Sequence, residues 1–144
     1  SRTRRPEAEA LGIEYVELDE LMRRSDIVSL HVPNNASTRG MIGKAQIDRM
    51  KLTAILINCA RGPIVDSAAL ADALNAGRIA GAGIDVFNVE PPIPQDEPLL
   101  HAKNTLLTPH VAFLSEESMI RRAEIVFQNL IAYLDGAPQN VCEL

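Results

Sequence analysis

The sequence predicts an α/β fold in which helices flank a parallel sheet. Short aliphatic runs alternate along the chain with helix-like segments, which is the order expected of parallel strands joined by crossover helices. The central runs are almost entirely apolar, a pattern typical of strands that are buried on both faces. The length of 144 residues and the apolar content of 47% favour one domain with a substantial core. We therefore expect residues 1–144 to form a single domain.

The predicted strands are short runs bounded by turn-forming residues. They cover residues 13–18, 26–32, 54–58, 81–87 and 105–108. The first of these alternates apolar with polar residues, which suits a half-buried strand. The predicted helices cover residues 6–11, 19–24, 44–50, 67–76 and 115–134. Asp19 and Asp66 are the expected N-caps of two of these helices, while Gly77 and Gly136 are expected to end the last two.

The last predicted helix, within residues 115–136, is long and amphipathic. Its apolar side chains recur at helical spacing and form the face expected to seek burial. In this chain we expect that face either to be exposed or to meet a partner chain. The side chains of this face are Ile120, Ala123, Val126, Phe127, Leu130 and Leu134.

Composition excludes several classes of protein. With 14 basic and 19 acidic residues the formal net charge is −5, and no basic stripe suggests nucleic-acid binding. No apolar stretch reaches the ~20 residues of a membrane span, and no secretory signal opens the sequence. Cys59 and Cys142 are expected to be free thiols, so the expected compartment is the cytoplasm. The histidines and cysteines lack the spacing of a metal site.

Ionisable side chains stand at or just beyond the carboxyl ends of four different predicted strands. These are His31, Arg61, Asp85 with Glu90, and His110. Ligands of open parallel sheets bind outside the carboxyl ends of the strands. The sequence therefore predicts a ligand site at this edge of the sheet.

Each candidate also has a structural alternative. His110 could exchange a proton near neutral pH, or it could be a surface or capping histidine. Glu90, held before two prolines, could pair with His110 or be an exposed loop residue. Arg61 suits a bidentate carboxylate but could form a surface salt bridge. Asp85 closes an apolar strand and so needs a partner, while His31 is equally suited to a structural role.

Several long motifs, in this order, resemble the D-isomer-specific 2-hydroxyacid dehydrogenase family over nearly the whole chain. They are SDIVSLHVP, TRGMIG, INCARGPIVD, ALADALNAGRIAGAGIDVFNVEPP, PLL and NTLLTPHVA. The resemblance implies a Rossmann-like parallel sheet with a long C-terminal helix. It also implies that the first strands and the Gly-x-Gly-x-x-Gly turn of that domain are not in this sequence. Residues 1–144 are thus interpreted as part of an NAD(P)-binding domain.

The resemblance also implies roles for individual residues. Arg61 matches the arginine that binds the substrate carboxylate and carbonyl, and Glu90 and His110 match the acid–base pair. The implied reaction is hydride transfer between a nicotinamide dinucleotide and a small 2-oxo or 2-hydroxy acid such as glyoxylate or hydroxypyruvate. The residues expected to contact the cofactor are Arg2, Val32, Pro33, Thr38, Cys59, Ala60, Arg61, Asp85 and His110.

Five positions refine this expectation. Formate dehydrogenases of this fold carry Gln where Glu90 stands, so Glu90 favours a hydroxyacid substrate. Arg2 lies near the site of the ribose hydroxyls, which keeps both NAD and NADP as expected cofactors. Pro63 departs from the small residue usual in the family and should stiffen the loop, and Cys59 departs from the usual Thr, Ser or Ala. Gly62 is expected to allow close backbone approach to a ligand.

Two alternatives to the enzyme stay open at this point. The chain could be a non-catalytic dinucleotide-binding or interaction module, as some relatives act as corepressors. It could also be a truncated chain that is inactive by itself. Relatives usually dimerise through this domain, so a homodimer is the expected assembly.

Overall fold

The computed structural model describes residues 3–142. These residues form two compact units, of which the first ends at His110 and the second begins at Val111. The single-domain interpretation of residues 1–144 stays a prediction, and the two units are described separately below.

A parallel sheet of four strands forms the centre of the first unit. The strands lie side by side in chain order and are β1 (Ile27–Leu30), β2 (Ile55–Asn58), β3 (Gly81–Ile84) and β4 (Thr105–Leu107). In the register of the sheet Leu30 lies beside Asn58, Asn58 beside Ile84, and Ile84 beside Leu107. The predicted α/β class is confirmed, and all four strands end at the same edge.

The helices of the first unit are short. They are α1 (Pro6–Ala10), α2 (Leu18–Arg24), α3 (Lys44–Ile47) and α4 (Ser67–Asn75), with single 3₁₀ turns at Gly62–Ile64 and Pro98–His101. The Asp66 side chain accepts a hydrogen bond from the Ala69 N–H at 3.0 Å, which confirms the predicted N-cap of α4. Gly77 follows α4 with a φ of +67°, the left-handed conformation expected after a helix.

The core lies against one face of the sheet only. Leu30, Leu56 and Ile84 point to this face and are buried together with side chains of α2, α3 and α4. On the opposite face Ile55 is 40% exposed and Leu106 is 73% exposed. The expectation that the strands are buried on both faces is therefore wrong for these residues, because the described residues of the first unit leave this face open at both positions.

The predicted first strand, residues 13–18, is not a strand. A strand needs a hydrogen-bonding neighbour, and β2 is the only strand beside β1 in the described part of the chain. Side chains hold the segment instead: the Tyr15 hydroxyl accepts from the Arg5 N–H at 3.1 Å, and Glu14 pairs with Arg24 at 2.6 Å. Leu18 becomes the first residue of α2.

Two helix boundaries differ from the prediction. Asp19 is not an N-cap, because α2 begins one residue earlier and the Asp19 carboxylate lies 2.9 Å from the Arg49 guanidinium. Helix α3 ends at Ile47 rather than at residue 50. Beyond it the Met50 N–H bonds to the Ile47 carbonyl in a tight turn, and the Met50 carbonyl accepts from Arg78 at 2.9 Å.

The second unit is built on α5 (Glu116–Leu134), the long predicted helix. The Ser115 hydroxyl caps its first turn by accepting from the Ser118 N–H at 3.2 Å, and Gly136 follows its end with a φ of +74°. The apolar side chains of this helix are exposed, which is one of the two outcomes expected from the sequence: Phe127, for example, is 65% exposed. This unit contains too little chain to cover a helix of 19 residues.

Residues 3–142 include no helix with the length and apolar character that a membrane crossing requires.

Candidate functional site

The parallel sheet brings the predicted site residues to one edge. His31 follows β1 directly after Leu30, Cys59 follows β2, and Asp85 follows β3. His110 lies three residues beyond β4. Because the strands are parallel and adjacent, these residues share the edge at which open α/β sheets bind ligands.

His110 and Glu90 meet at this edge. The imidazole Nδ1 lies 3.2 Å from Glu90 Oε2, and both side chains are half-exposed. The second carboxylate oxygen of Glu90 accepts a long hydrogen bond of 3.4 Å from the Phe87 N–H. A carboxylate in this position can keep the imidazole proton on Nδ1 and stabilise the ring when it is doubly protonated.

The backbone of His110 is held in an unusual conformation. Its φ is +57°, in the left-handed region that non-glycine residues rarely adopt. The His110 N–H donates to the Asp85 carbonyl at 2.8 Å, which ties the end of β4 to the end of β3. Strained conformations of this kind cluster at functional sites, where the surrounding structure holds them in place.

Asp85 is a buried carboxylate with a hydroxyl donor. Its side chain is 3% exposed, and the Thr108 hydroxyl donates to Oδ1 at 2.5 Å. A buried charge needs such a donor, so this contact supplies the partner that the sequence required. Through its carboxylate and its carbonyl, Asp85 contacts both Thr108 and His110.

The loop after β2 presents Arg61 at the surface. Its Nη1 donates to the Ala60 carbonyl at 2.5 Å, and it forms no ion pair with any acidic side chain between residues 3 and 142. The surface salt bridge considered from the sequence is thus not formed, and the guanidinium is available to bind an anion.

Gly62 allows a close backbone contact inside the protein, whereas the sequence analysis expects it to allow close approach to a ligand. A Cβ at this position would lie 2.1 Å from the Phe87 carbonyl carbon.

A cleft of about 640 Å³ opens between the loops that follow β1 and β2. Its walls are His31, Val32, Pro33, Asn34, Cys59, Ala60 and Arg61. Five of the residues expected to contact a cofactor therefore line one cleft. Asn34 also lines it but was not singled out from the sequence, although its position directly after a strand-ending proline is a usable signal.

Other predicted cofactor contacts lie elsewhere. Thr38 is not a wall of the cleft: its hydroxyl is buried, donates to the Pro33 carbonyl at 2.6 Å and accepts from the Asn35 N–H at 2.9 Å. It shapes the turn that carries Pro33. Asp85 and His110 do not line this cleft either. Arg2 lies outside the described residues.

His31 has a local partner. Its Nε2 lies 2.8 Å from the Ser29 hydroxyl, two residues back on β1. This contact fits the structural role considered from the sequence, while the ring also forms part of the cleft wall.

The Cys59 thiol reports on the electrostatics of the site. Although the residue is exposed, neighbouring protein atoms partly desolvate the thiol, and this raises its pKa above the ordinary value. The negative charge of Asp85 raises the Cys59 pKa further. An electrophile should thus react slowly at this position near neutral pH, because the thiolate is the nucleophile.

We expect Asp85→Asn to make Cys59 more reactive. Removing the carboxylate charge removes one of the two causes that raise the thiol pKa, so more thiolate is present at a given pH. The measurement is the rate of iodoacetamide alkylation of Cys59 at pH 8, followed by mass spectrometry of the peptide. Cys142 in the same chain is the internal control. An unchanged or slower rate at Cys59 would show that the Asp85 charge does not act on this thiol.

Comparison with known proteins identifies the family. Residues 1–112 match the model of the D-isomer specific 2-hydroxyacid dehydrogenase, NAD binding domain. The chain belongs to this dehydrogenase family. The match covers all four strands and the residues from His31 to His110 that meet at their carboxyl ends.

Individual dehydrogenase-family proteins are similar to the chain in sequence and structure. A glyoxylate reductase of Korarchaeum cryptofilum is 55% identical over 126 residues, which are 88% of this chain and 38% of that protein. A hydroxypyruvate reductase of Blautia hydrogenotrophica is 44% identical over 136 residues, or 94% of this chain and 42% of that protein. The chain therefore spans about two fifths of the length of these relatives.

Solved structures also resemble the fold of this chain. The NAD complex of a D-isomer specific 2-hydroxyacid dehydrogenase from Lactobacillus delbrueckii ssp. bulgaricus superposes with a TM-score of 0.85 at 35% identity, covering 99% of this chain and 47% of that one. An acyclic imino acid reductase, Bsp5, in complex with NADPH and D-Arg gives a TM-score of 0.84 at 37% identity, covering 92% of this chain and 42% of that one.

Proposed function

We propose that the whole protein transfers a hydride between a nicotinamide dinucleotide and a small 2-oxo or 2-hydroxy acid. The observation that carries this proposal is the His110–Glu90 pair, 3.2 Å apart, at the same sheet edge as Arg61. A proton donor and a cationic anchor for a carboxylate are the two groups that carbonyl reduction of a 2-oxo acid requires.

The cleft between the loops after β1 and β2 fits a dinucleotide. Val32 and Pro33 give it an apolar wall for a base and sugar, while Cys59 lies close enough to Asp85 to be affected by its charge. His31, Asn34 and Arg61 add polar and cationic groups to the lining, which suit the hydroxyls and phosphates of a dinucleotide. NAD and NADP both stay proposed cofactors, and Arg2 is the residue proposed to favour the 2′-phosphate of NADP.

The chain's own residues then have distinct roles in reduction. The cofactor, when bound, supplies the hydride that adds to C2 of the 2-oxo acid. Arg61 binds the substrate carboxylate and stabilises the negative charge that grows on the carbonyl oxygen. His110 donates the proton that this oxygen receives, and in oxidation it takes the proton back. Glu90 orients His110 and stabilises its protonated form, while Asp85 lies at the nicotinamide end of the site.

The non-catalytic binding module is the second candidate function. A protein that only senses a dinucleotide does not need an acid–base pair, and the His110–Glu90 contact is therefore an argument for the enzyme. Turnover of glyoxylate, hydroxypyruvate or pyruvate by the whole protein separates the two. We also propose a homodimer in the cytoplasm, based on the family resemblance and on the exposed free cysteines.

Titration of the 144-residue chain with NADH and NADPH tests the cofactor site directly. Because the sequence contains no Trp, the emission of the dihydronicotinamide itself is the signal. We expect saturable binding that Cys59→Phe weakens by filling the cleft. Cys142→Phe, an equally large change at an exposed position outside the cleft, should leave binding unchanged. Equal affinities of the two variants would place the cofactor elsewhere.

A further inference from the structure

Asn58 is a buried side chain that the reaction itself does not use. It is the last residue of β2 and is only 1% exposed. Its Nδ2 donates to the Arg61 carbonyl at 3.0 Å, and its Oδ1 accepts from the Ala60 N–H at 3.1 Å. Both ends of the amide are therefore bonded to the loop that presents Arg61.

The two bonds fix the backbone on either side of one peptide unit. Oδ1 holds the N–H of the residue before Arg61, and Nδ2 holds the carbonyl of Arg61 itself. Among side chains of this length, the neutral amide of Asn is the group that carries an acceptor at one end and a donor at the other end of a planar unit. The Arg61 carbonyl also accepts a longer bond of 3.4 Å from the Ile64 N–H, within the 3₁₀ turn at Gly62–Ile64. Asn58 supplies the shorter bond to this carbonyl and the side-chain bond to the Ala60 N–H.

We propose that Asn58 is a positioning residue that holds Arg61 in the orientation needed to bind the substrate. This rests on the proposed role of Arg61 in binding a 2-oxo acid. A guanidinium that must meet both a carboxylate and a developing oxyanion tolerates little displacement, since errors near 1 Å cost about a hundredfold in rate. Asn58 acts through Arg61 and does not touch the substrate.

A double-mutant cycle in the whole protein tests this directly. Asn58→Ser removes the two-ended bond, and Arg61→Ala removes the group that Asn58 is proposed to position. We expect Asn58→Ser to lower kcat/KM for glyoxylate by about tenfold when Arg61 is present. In the Arg61→Ala background the same change should cost less than about twofold, because coupled residues are not additive.

Asn75→Ser is the matched control. Asn75 is an exposed amide at the end of α4, and its Oδ1 accepts from the Lys103 N–H at 3.0 Å, far along the chain from the Arg61 loop. The Asn75→Ser change should alter kcat/KM by less than about twofold, both with Arg61 present and in the Arg61→Ala background. Asn58→Thr is the second variant if the serine variant does not fold: it also lacks the planar amide, but it fills more of the buried site and suits the end of a strand.

The possible outcomes are distinguishable. Equal losses from the Asn58 variants in both backgrounds would show that Asn58 acts independently of Arg61, which overturns this inference and leaves the proposed function standing. Unchanged kcat/KM in Asn58→Ser with Arg61 present would also overturn it. If Arg61→Ala alone leaves kcat/KM unchanged, the role of Arg61 in the proposed function fails and the inference fails with it.

Discussion

Replacing His110 with Gln should lower the turnover of a 2-oxo acid by about 10²–10⁴-fold, which is the usual contribution of a positioned general acid. A glutamine amide cannot transfer a proton to the carbonyl oxygen, whereas an imidazole can act as a general acid. Cofactor affinity should change little, since His110 is not a wall of the cleft between the loops after β1 and β2. The measurement is steady-state reduction of glyoxylate by the whole protein, with NADH affinity determined separately.

His101→Gln provides the matched control. His101 is an exposed histidine whose Nε2 lies 2.7 Å from the Gln95 carbonyl, and it lies before β4 rather than at the carboxyl end of that strand. The substitution should leave turnover unchanged. If His110→Gln also retains near-normal turnover, the acid–base role of His110 is wrong and the binding-module function becomes the better proposal.

Much of the first unit follows from local rules in the sequence. Asp66 caps α4 because its side chain reaches the Ala69 N–H, an interaction within four consecutive residues. The apolar runs in the sequence predict the positions of the strands. Because those strands are parallel, His31 and His110 lie at the same edge of the sheet. These features depend on short-range contacts and on the order of elements, both of which are visible in a sequence.

The expectations and the structure differ where a segment would need a neighbouring strand or a covering surface from another part of a protein. Residues 13–18 have the pattern of a strand but no neighbouring strand to bond to, so they stay irregular. Phe127 of α5 and Leu106 of β4 have the apolar character of core residues, but within its own unit each stays mostly exposed. Hydrophobic periodicity predicts which face of a helix or strand is apolar, but it does not show whether another surface covers that face.

In the site, the sequence draws attention to the ionisable side chains but not to the side chains that hold them in place. Arg61, Glu90 and His110 stood out because their side chains carry charge or a proton near strand ends. Asn58 did not stand out, since an amide inside an apolar run has no reactive character and its two bonds appear only in three dimensions. Thr38 was expected to contact a cofactor, yet its hydroxyl is used within the turn that follows β1.

Gly62→Ala is expected to destabilise the chain by about 3 kcal/mol, or roughly 10 °C in Tm. A Cβ at this position would lie 2.1 Å from both the carbonyl carbon and the oxygen of Phe87 and 2.5 Å from the Asn88 nitrogen. These are backbone atoms, so no side-chain rotation can relieve the overlap. One of the two loops, after β2 or after β3, must move by more than an ångström.

The same movement should lower activity, because one loop carries Arg61 and the other leads to Glu90. Gly83→Ala is the matched control: its Cβ would meet only the Ile57 Cγ1 at 3.9 Å, an ordinary contact, within strand β3. Thermal unfolding of both variants followed by circular dichroism measures the difference. Equal Tm values would mean that the loops after β2 and β3 are not in contact. In that case the geometry that brings Arg61 toward the Glu90–His110 pair would be wrong as well.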